Sequence, residues 1–314
     1  MLTIGTNDGI VALERNNGSW EVAAKALPGV RVEGVCSTDT GTMAATVDGV
    51  FESGADPADW KQTLSDVDSR CVAVTLDGTA FVGADNAVLF RRRAADEQFS
   101  EVQSFKDLPT YGTWTFPVSP HMPNIRAMVA SPTHPGRVYV GVEVGGVMLT
   151  EDGGETWQEA RESIHPDIHG LAAAPDDGDH VFAVTGVGFY SSQDAARSWQ
   201  SHCNGLETMY TVTLANDPTD QQRLYAAATL GRPRNWRDRP EGAVAKIYRS
   251  DDGGSQWRAL MDDGLVESVE ALAVDADGTV YAGTHGGEVL ARAADSDEWN
   301  VIAEGLSPVN CISA

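Results

Sequence analysis

The chain has 314 residues, 42% of them hydrophobic, which is ample for a packed core and excludes a disordered chain. Its formal net charge is -24, from 46 acidic against 22 basic residues. Such a field repels nucleic acid and anionic membrane surfaces at low salt, so neither is expected as a partner.

Lysine occurs only at Lys25, Lys61, Lys106 and Lys246, and the other basic residues are arginine. Many carboxylates with few lysines is the balance of a protein kept hydrated in very high salt, so a halophilic, archaeal source is expected. The N-terminus, "MLTIGTNDGI", lacks a charged segment followed by an apolar one, and no window approaches the roughly 18 apolar residues of a membrane span. A cytoplasmic protein is expected. Cys36, Cys71, Cys203 and Cys311 show no metal-type spacing and read as packing residues.

Thirty-two glycines, fourteen prolines and frequent Val, Thr and Ala favour short strands and tight turns, hence an all-β fold. The chain opens with three such strands, "LTIGT", "GIVALE" and "SWEVA", the last carrying Trp20. An aromatic that follows a turn then recurs at Trp60, Phe99, Trp157, Trp199, Trp257 and Trp299, with spacings of 40, 39, 58, 42, 58 and 42. Upstream of Trp157 the runs "IRAMVAS" and "RVYVGVE" precede a third that ends at an acidic turn. Four strands in about 40 residues is the size of a propeller blade. Seven units predict a seven-bladed β-propeller of four-stranded antiparallel blades, with residues 1–314 as one domain. The first unit lacks an innermost strand, and "PVNCISA" at residues 308–314 has that pattern. The C-terminal strand is expected to close the first blade and remove two sheet edges.

The turns themselves repeat: "TEDGGETWQ" at residues 150–158 and "SDDGGSQWR" at 250–258. Asp152 and Asp252 can accept backbone N–H bonds, the glycines allow positive φ, and the tryptophans can wedge between sheets. Thr150, Asp152, Gly154, Thr156 and Trp157 match the pattern Ser/Thr-x-Asp-x-Gly-x-Thr-Trp, and Ser250, Asp252, Gly254 and Trp257 nearly so. Ser192, Asp194, Ser198 and Trp199 carry Ala196 in the glycine place. On these residues the chain resembles the Asp-box, or BNR-repeat, propellers. That resemblance implies the fold, but the family spans sialidases, xyloglucan-cleaving glycosidases, sortilin-type receptors and photosystem-assembly factors, so it does not select a function.

In a propeller the innermost strands start around the upper mouth of the central channel. Aligning them on the small residues Cys311, Gly34, Cys71, Ala127, Gly170, Thr211 and Ala271 places Asn310, Glu33, Arg70, Arg126, His169, Tyr210 and Glu270 around that mouth. Arg70, Arg126, His169 and Tyr210 fall on consecutive blades and suit a carboxylate or phosphate. Glu33 and Glu270 are the acid or base candidates of the ring. Asp85, Glu143 and His285, at second-strand ends, add a further layer.

The two long spacings mark insertions at 107–123 and 231–243, both expected on the upper face. They hold the two tryptophans outside the repeat, Trp114 and Trp236, and the second gathers Arg232, Arg234, Arg237 and Arg239. Aromatic and arginine residues on long loops point to binding, although Asp238 and Glu241 lie close enough in sequence to pair with those arginines. His165, Asp167 and His169 invite a metal reading, but alternation brings Asp167 and His169 to one side only if the strand begins at Asp167, and we assign neither metal nor cofactor. The expected function is non-catalytic recognition or assembly, with a partner protein or anionic ligand at the mouth around blades 3 to 6. The alternative is a glycosidase-like, sialidase-related hydrolase or lyase in which Glu33, Glu270, Tyr210 and His169 act. Against it, the sialidase Arg-Ile-Pro signature and a third ring arginine are absent.

Overall fold

The computed structural model describes every residue except Asp39. Its strands form seven four-stranded antiparallel sheets arranged as a ring, each running from an innermost strand at the channel to an outer edge. The innermost strands are Val309–Ser313 in blade 1, Val32–Thr38 in blade 2, Ser69–Val74 in blade 3 and Ile125–Ala130 in blade 4. Ile168–Ala174, Tyr210–Asp217 and Val269–Val274 serve blades 5, 6 and 7. Val309–Ser313 pairs antiparallel with Leu2–Thr6, setting Ile4 against Ile312 and Gly5 against Cys311. The first blade is therefore built from both ends of the sequence, and the inner edge of Leu2–Thr6 is paired rather than open.

The core lies between blades, because each sheet has two apolar faces to cover and only neighbouring sheets to cover them with. The repeated aromatics reach back to the preceding blade. Trp157 meets Phe81 edge-on at 6.4 Å, Trp257 meets Phe189 at 4.9 Å, and Trp20 of blade 1 meets Tyr281 of blade 7 at 5.7 Å. The acidic turns hold these wedges in place. Asp152 accepts the backbone N–H of Thr156 at 2.9 Å and its hydroxyl at 2.6 Å, and the Thr150 hydroxyl accepts the N–H of Gly154 at 2.8 Å. Asp194 and Asp252 repeat the backbone bond in their turns.

Close approach near the channel depends on small residues in the second strands. At Gly141 an added Cβ would fall 2.7 Å from Ile168 Cγ2, so blade 5 seats its first innermost residue on the bare backbone of blade 4. The four cysteines are free, and burial pushes the Cys71 thiol up to about 12, as suits a packing residue. No helix among the described residues is long and apolar enough to cross a membrane.

Candidate functional site at the channel mouth

At the start of each innermost strand the pairing ladder skips one residue. Val32 pairs with Thr46 and Gly34 with Ala45, which leaves Glu33 without a partner. Arg70, Arg126, His169 and Glu270 are passed over in the same way, as is Asn310 between Val309 and Cys311. These are β-bulges, which re-aim a side chain out of the sheet. In blade 6 the bulged residue is Val212, between Thr211 and Thr213.

Tyr210 is therefore not the ring residue of blade 6. Thr211 and Thr213 are both small and both on one face, and a shift of two residues leaves strand alternation unchanged, so the sequence pattern fits either register. Tyr210 lies two residues further out, with its ring edge-on to His169 at 4.9 Å. Burial pushes its phenol up, opposite to what an activated nucleophile needs.

The ring arginines are bound to the protein's own carboxylates. Arg70 grips Asp85 with Nε at 2.7 Å and Nη2 at 3.0 Å, while its Nη1 bonds Glu33 Oε1 at 3.0 Å. Arg31 takes Glu33 from the other side, so both oxygens of that carboxylate are engaged. Arg126 Nη1 lies 3.0 Å from Glu143 Oε2. Asn310 donates to Asn7 Oδ1 and to the Val32 carbonyl, both at 2.9 Å, and Glu270 accepts the Ser268 hydroxyl.

Asp167, two residues before the ring residue His169, also reaches the mouth. It is 5% exposed and its backbone pairs with that of Glu143 in an isolated antiparallel bridge, which brings the start of blade 5 against the second strand of blade 4.

The two insertions differ in what they contribute. The first, at 107–123, follows a short helix at Gln103–Lys106 and contains a 3-10 turn at Tyr111–Thr113. Trp114 is only 6% exposed, packs on Phe105 and Tyr111 at 5.4 and 5.0 Å, and donates its indole N–H to Thr110. Trp114 is thus corrected from a ligand-binding residue to a packing one, since its ring fits the apolar space under its own loop. Phe116, Pro117 and Val118 of that insertion do reach the mouth. In the second insertion Trp236 is anchored through its indole N–H to the Gly231 carbonyl at 2.9 Å.

Trp236, Arg232, Arg234 and Arg237 join Phe116, Pro117, Val118, Tyr210 and Glu143 around one cavity of about 350 Å³. An adjoining cavity of about 520 Å³ runs along the channel and is lined by Glu33, Arg70, Arg126, His169, Glu270 and Asn310. Phe116, Arg126, Glu143, Val212 and Glu270 belong to both. His285 is exposed and lines neither. Among the described residues Arg232, Arg234 and Arg237 form no ion pair, with Asp238 and Glu241 or with any other carboxylate.

The ring is that of a seven-bladed propeller. A family model described as strictosidine synthase-like, N-terminal, matches residues 270–292 alone, within blade 7. No curated protein matches the sequence. Among solved structures, a GH74 enzyme of Niastella koreensis superposes with a TM-score of 0.65 at 14% identity over 86% of this chain and 45% of the enzyme. A YCF48 bound to D1 peptide gives 0.63 at 14% identity over 93% of this chain and 87% of that one, and the WD40 repeats of RRP9 give 0.63 at 10% over 99% and 88%. The chain spans under half the length of the GH74 enzyme. At these identities the likeness shows the fold, which glycosidases and binding propellers share.

Proposed function

We propose that the chain is a recognition or assembly propeller that holds an anionic group of a partner protein, or a small anionic ligand, between its two insertions at the channel mouth. The observation that carries this reading is the set of unpaired arginines Arg232, Arg234 and Arg237 facing the apolar wall of Phe116, Pro117 and Val118 across one cavity. The three guanidiniums are exposed and form no ion pair among the described residues, on a chain whose net charge is -24. Guanidinium forks above an apolar wall suit a carboxylate or phosphate carried on an apolar stem. The anion contact thereby moves from the ring, where Arg70 and Arg126 are engaged, to the loop.

The glycosidase-like alternative loses support because Glu33 is gripped by two arginines and Tyr210 is not the ring residue of its blade. The hydrogen bonding of the turns at 150–157, 192–199 and 250–257 supports an Asp-box ancestry. We propose a salt-adapted, archaeal source on its composition.

The test is calorimetric titration of the full chain with a glutamate-rich peptide and with a phosphorylated one, at the lowest KCl concentration at which the fold persists. Binding that is lost in the triple variant Arg232→Ser, Arg234→Ser, Arg237→Ser supports the reading. Equal binding by the variant, or none by the intact chain, removes it. A pull-down with residues 231–243 shortened to a tight turn then identifies the natural partner.

A further inference from the structure

Glu143, Asp167 and His169 stand apart from the rest of the mouth because each offers one ligand atom and these atoms lie within 4.8 Å of one another. All three residues are buried, at 5, 5 and 6% exposure. Their placement follows from the backbone: the bridge between Glu143 and Asp167 sets two carboxylates side by side, and the bulge turns His169 toward them.

The hydrogen bonding of the imidazole defines what faces the carboxylates. His169 Nδ1 lies 2.6 Å from the carbonyl oxygen of Thr211, which can only accept, so Nδ1 carries the hydrogen. In the neutral ring Nε2 then presents a lone pair. That lone pair points at Asp167 Oδ1, 3.4 Å away, and neither atom has a hydrogen-bond partner. The two side chains are 1% and 7% exposed, so water does not supply one from bulk. Two acceptors facing each other in a buried place are repulsive unless a proton or a metal ion stands between them. Arg126 and Asn124 engage Glu143 through Oε2, leaving Oε1 for the same cation.

We propose that Glu143, Asp167 and His169 bind a divalent first-row metal ion of the zinc class. One imidazole nitrogen with two carboxylates suits zinc or its borderline neighbours better than calcium or magnesium, which take oxygen ligands throughout. An imidazole whose second nitrogen donates to a backbone carbonyl is the arrangement that orients metal-ligating histidines. Glu143 and Asp167 also line the 350 Å³ cavity, so three protein ligands leave the remaining position of the ion toward that space. This site stands independently of the arginine loop, and it replaces our assignment of no metal, which rested on where the strand begins. The strand starts at Ile168, yet the bulge at His169 breaks the alternation and brings Asp167 and His169 together.

The experiment is calorimetric titration of chelator-treated full-length protein with zinc, in excess magnesium so that surface carboxylates are occupied, with cobalt absorption as a second readout of inner-sphere nitrogen ligation. One zinc per chain is expected, with affinity lowered about tenfold or more in Asp167→Asn and in His169→Gln. The triple arginine variant of the loop should bind zinc unchanged, which separates failure of this proposal from failure of anion recognition. Absence of stoichiometric zinc, or equal affinity in the two ligand variants, overturns the site. So does a nitrogen-15 spectrum in which His169 carries protons on both nitrogens at neutral pH and does not respond to zinc, because the imidazole would then already bond Asp167 directly. If His169→Gln does not fold, Asp167→Asn and the spectrum decide.

Discussion

Val212 occupies in blade 6 the bulged position that His169 occupies in blade 5. The mouth is thus lined on six blades by polar side chains and on one by an apolar one, and the apolar position falls beneath the arginine-bearing insertion of its own blade. Val212 lines both cavities, so it forms part of the boundary between them.

The Arg126–Glu143 pair offers the first prediction. Glu143 is 7% exposed at its side chain and Arg126 33%, so removing the guanidinium strands a buried carboxylate. Arg126→Ala is expected to cost about 2 kcal/mol, less than for a fully buried pair because the arginine is partly solvated. Adding Glu143→Gln should restore about 1 kcal/mol of that in a double-mutant cycle by chemical denaturation. Additive effects would show that the pair is not coupled.

The acidic turns predict an asymmetry between blades. Gly254 at φ +90 shares the left-handed conformation of Gly154 at φ +86, and an added Cβ at Gly254 would overlap the Phe189 ring of blade 5. Gly254→Ala should destabilise by about 2–4 kcal/mol, combining left-handed strain with overpacking. Ala196 fills the corresponding place in the turn of blade 5 at φ 63, fully buried. Ala196→Gly should be nearly neutral, because relief of about 1 kcal/mol offsets the loss of a buried methyl of similar value. Comparable losses for the two substitutions in thermal denaturation would contradict this.

Acid should unfold the ring through its turn aspartates. Burial raises the Asp152, Asp194 and Asp217 carboxyls, yet hydrogen bonds from Thr156 and Thr150, from Ser198 and Ser192, and from Thr219 with Arg223 outweigh it and hold all three below the usual range. A folded value below the unfolded one gives stability that is complete above about pH 4 and is lost as pH falls through the folded value. Denaturant midpoints measured from neutral pH downward should therefore fall below about pH 4. The Asp152→Asn, Asp194→Asn variant should show a shallower fall, and an unchanged slope would exclude these groups.

Salt should stabilise. At a net charge of -24 the folded chain repels itself, and the screening length shrinks from about 10 Å at 0.1 M to about 3 Å at 1 M salt. Raising KCl over that range is expected to lift the Tm by about 5 °C or more. A flat or falling Tm would remove the salt-adapted reading.

The ring of blades was legible because its signals are periodic: a turn and an aromatic every 40 residues or so, and an innermost-strand pattern missing at one end and present at the other. The positions of Glu33, Arg70, Arg126, His169, Glu270 and Asn310 followed from the same period. Three features of the mouth did not. Val212 was hidden because Thr211 and Thr213 satisfy alternation equally well. Asp167 lies outside any strand, and only the bridge to Glu143, far away in sequence, brings it to the site. The pairing of Arg70 and Arg126 with carboxylates, and the freedom of Arg232, Arg234 and Arg237, depend on side-chain directions that sequence spacing does not encode. Trp114 and Trp236 carried the same signal, an unusual aromatic in a long loop, although one is internal packing and the other a wall of the cavity.

Because the mouth residues sit in bulges, none of them belongs to the hydrogen-bonded ladder or to the interleaved aromatic layer outside it. A change at Glu33 or Val212 alters what the channel presents without asking any strand to shift register. Seven such positions are settings on a common frame, coupled where their side chains meet, as Arg70 and Glu33 do, so a ring of this kind can exchange one ligand preference for another by a few point substitutions while the blades that support it stay as they are.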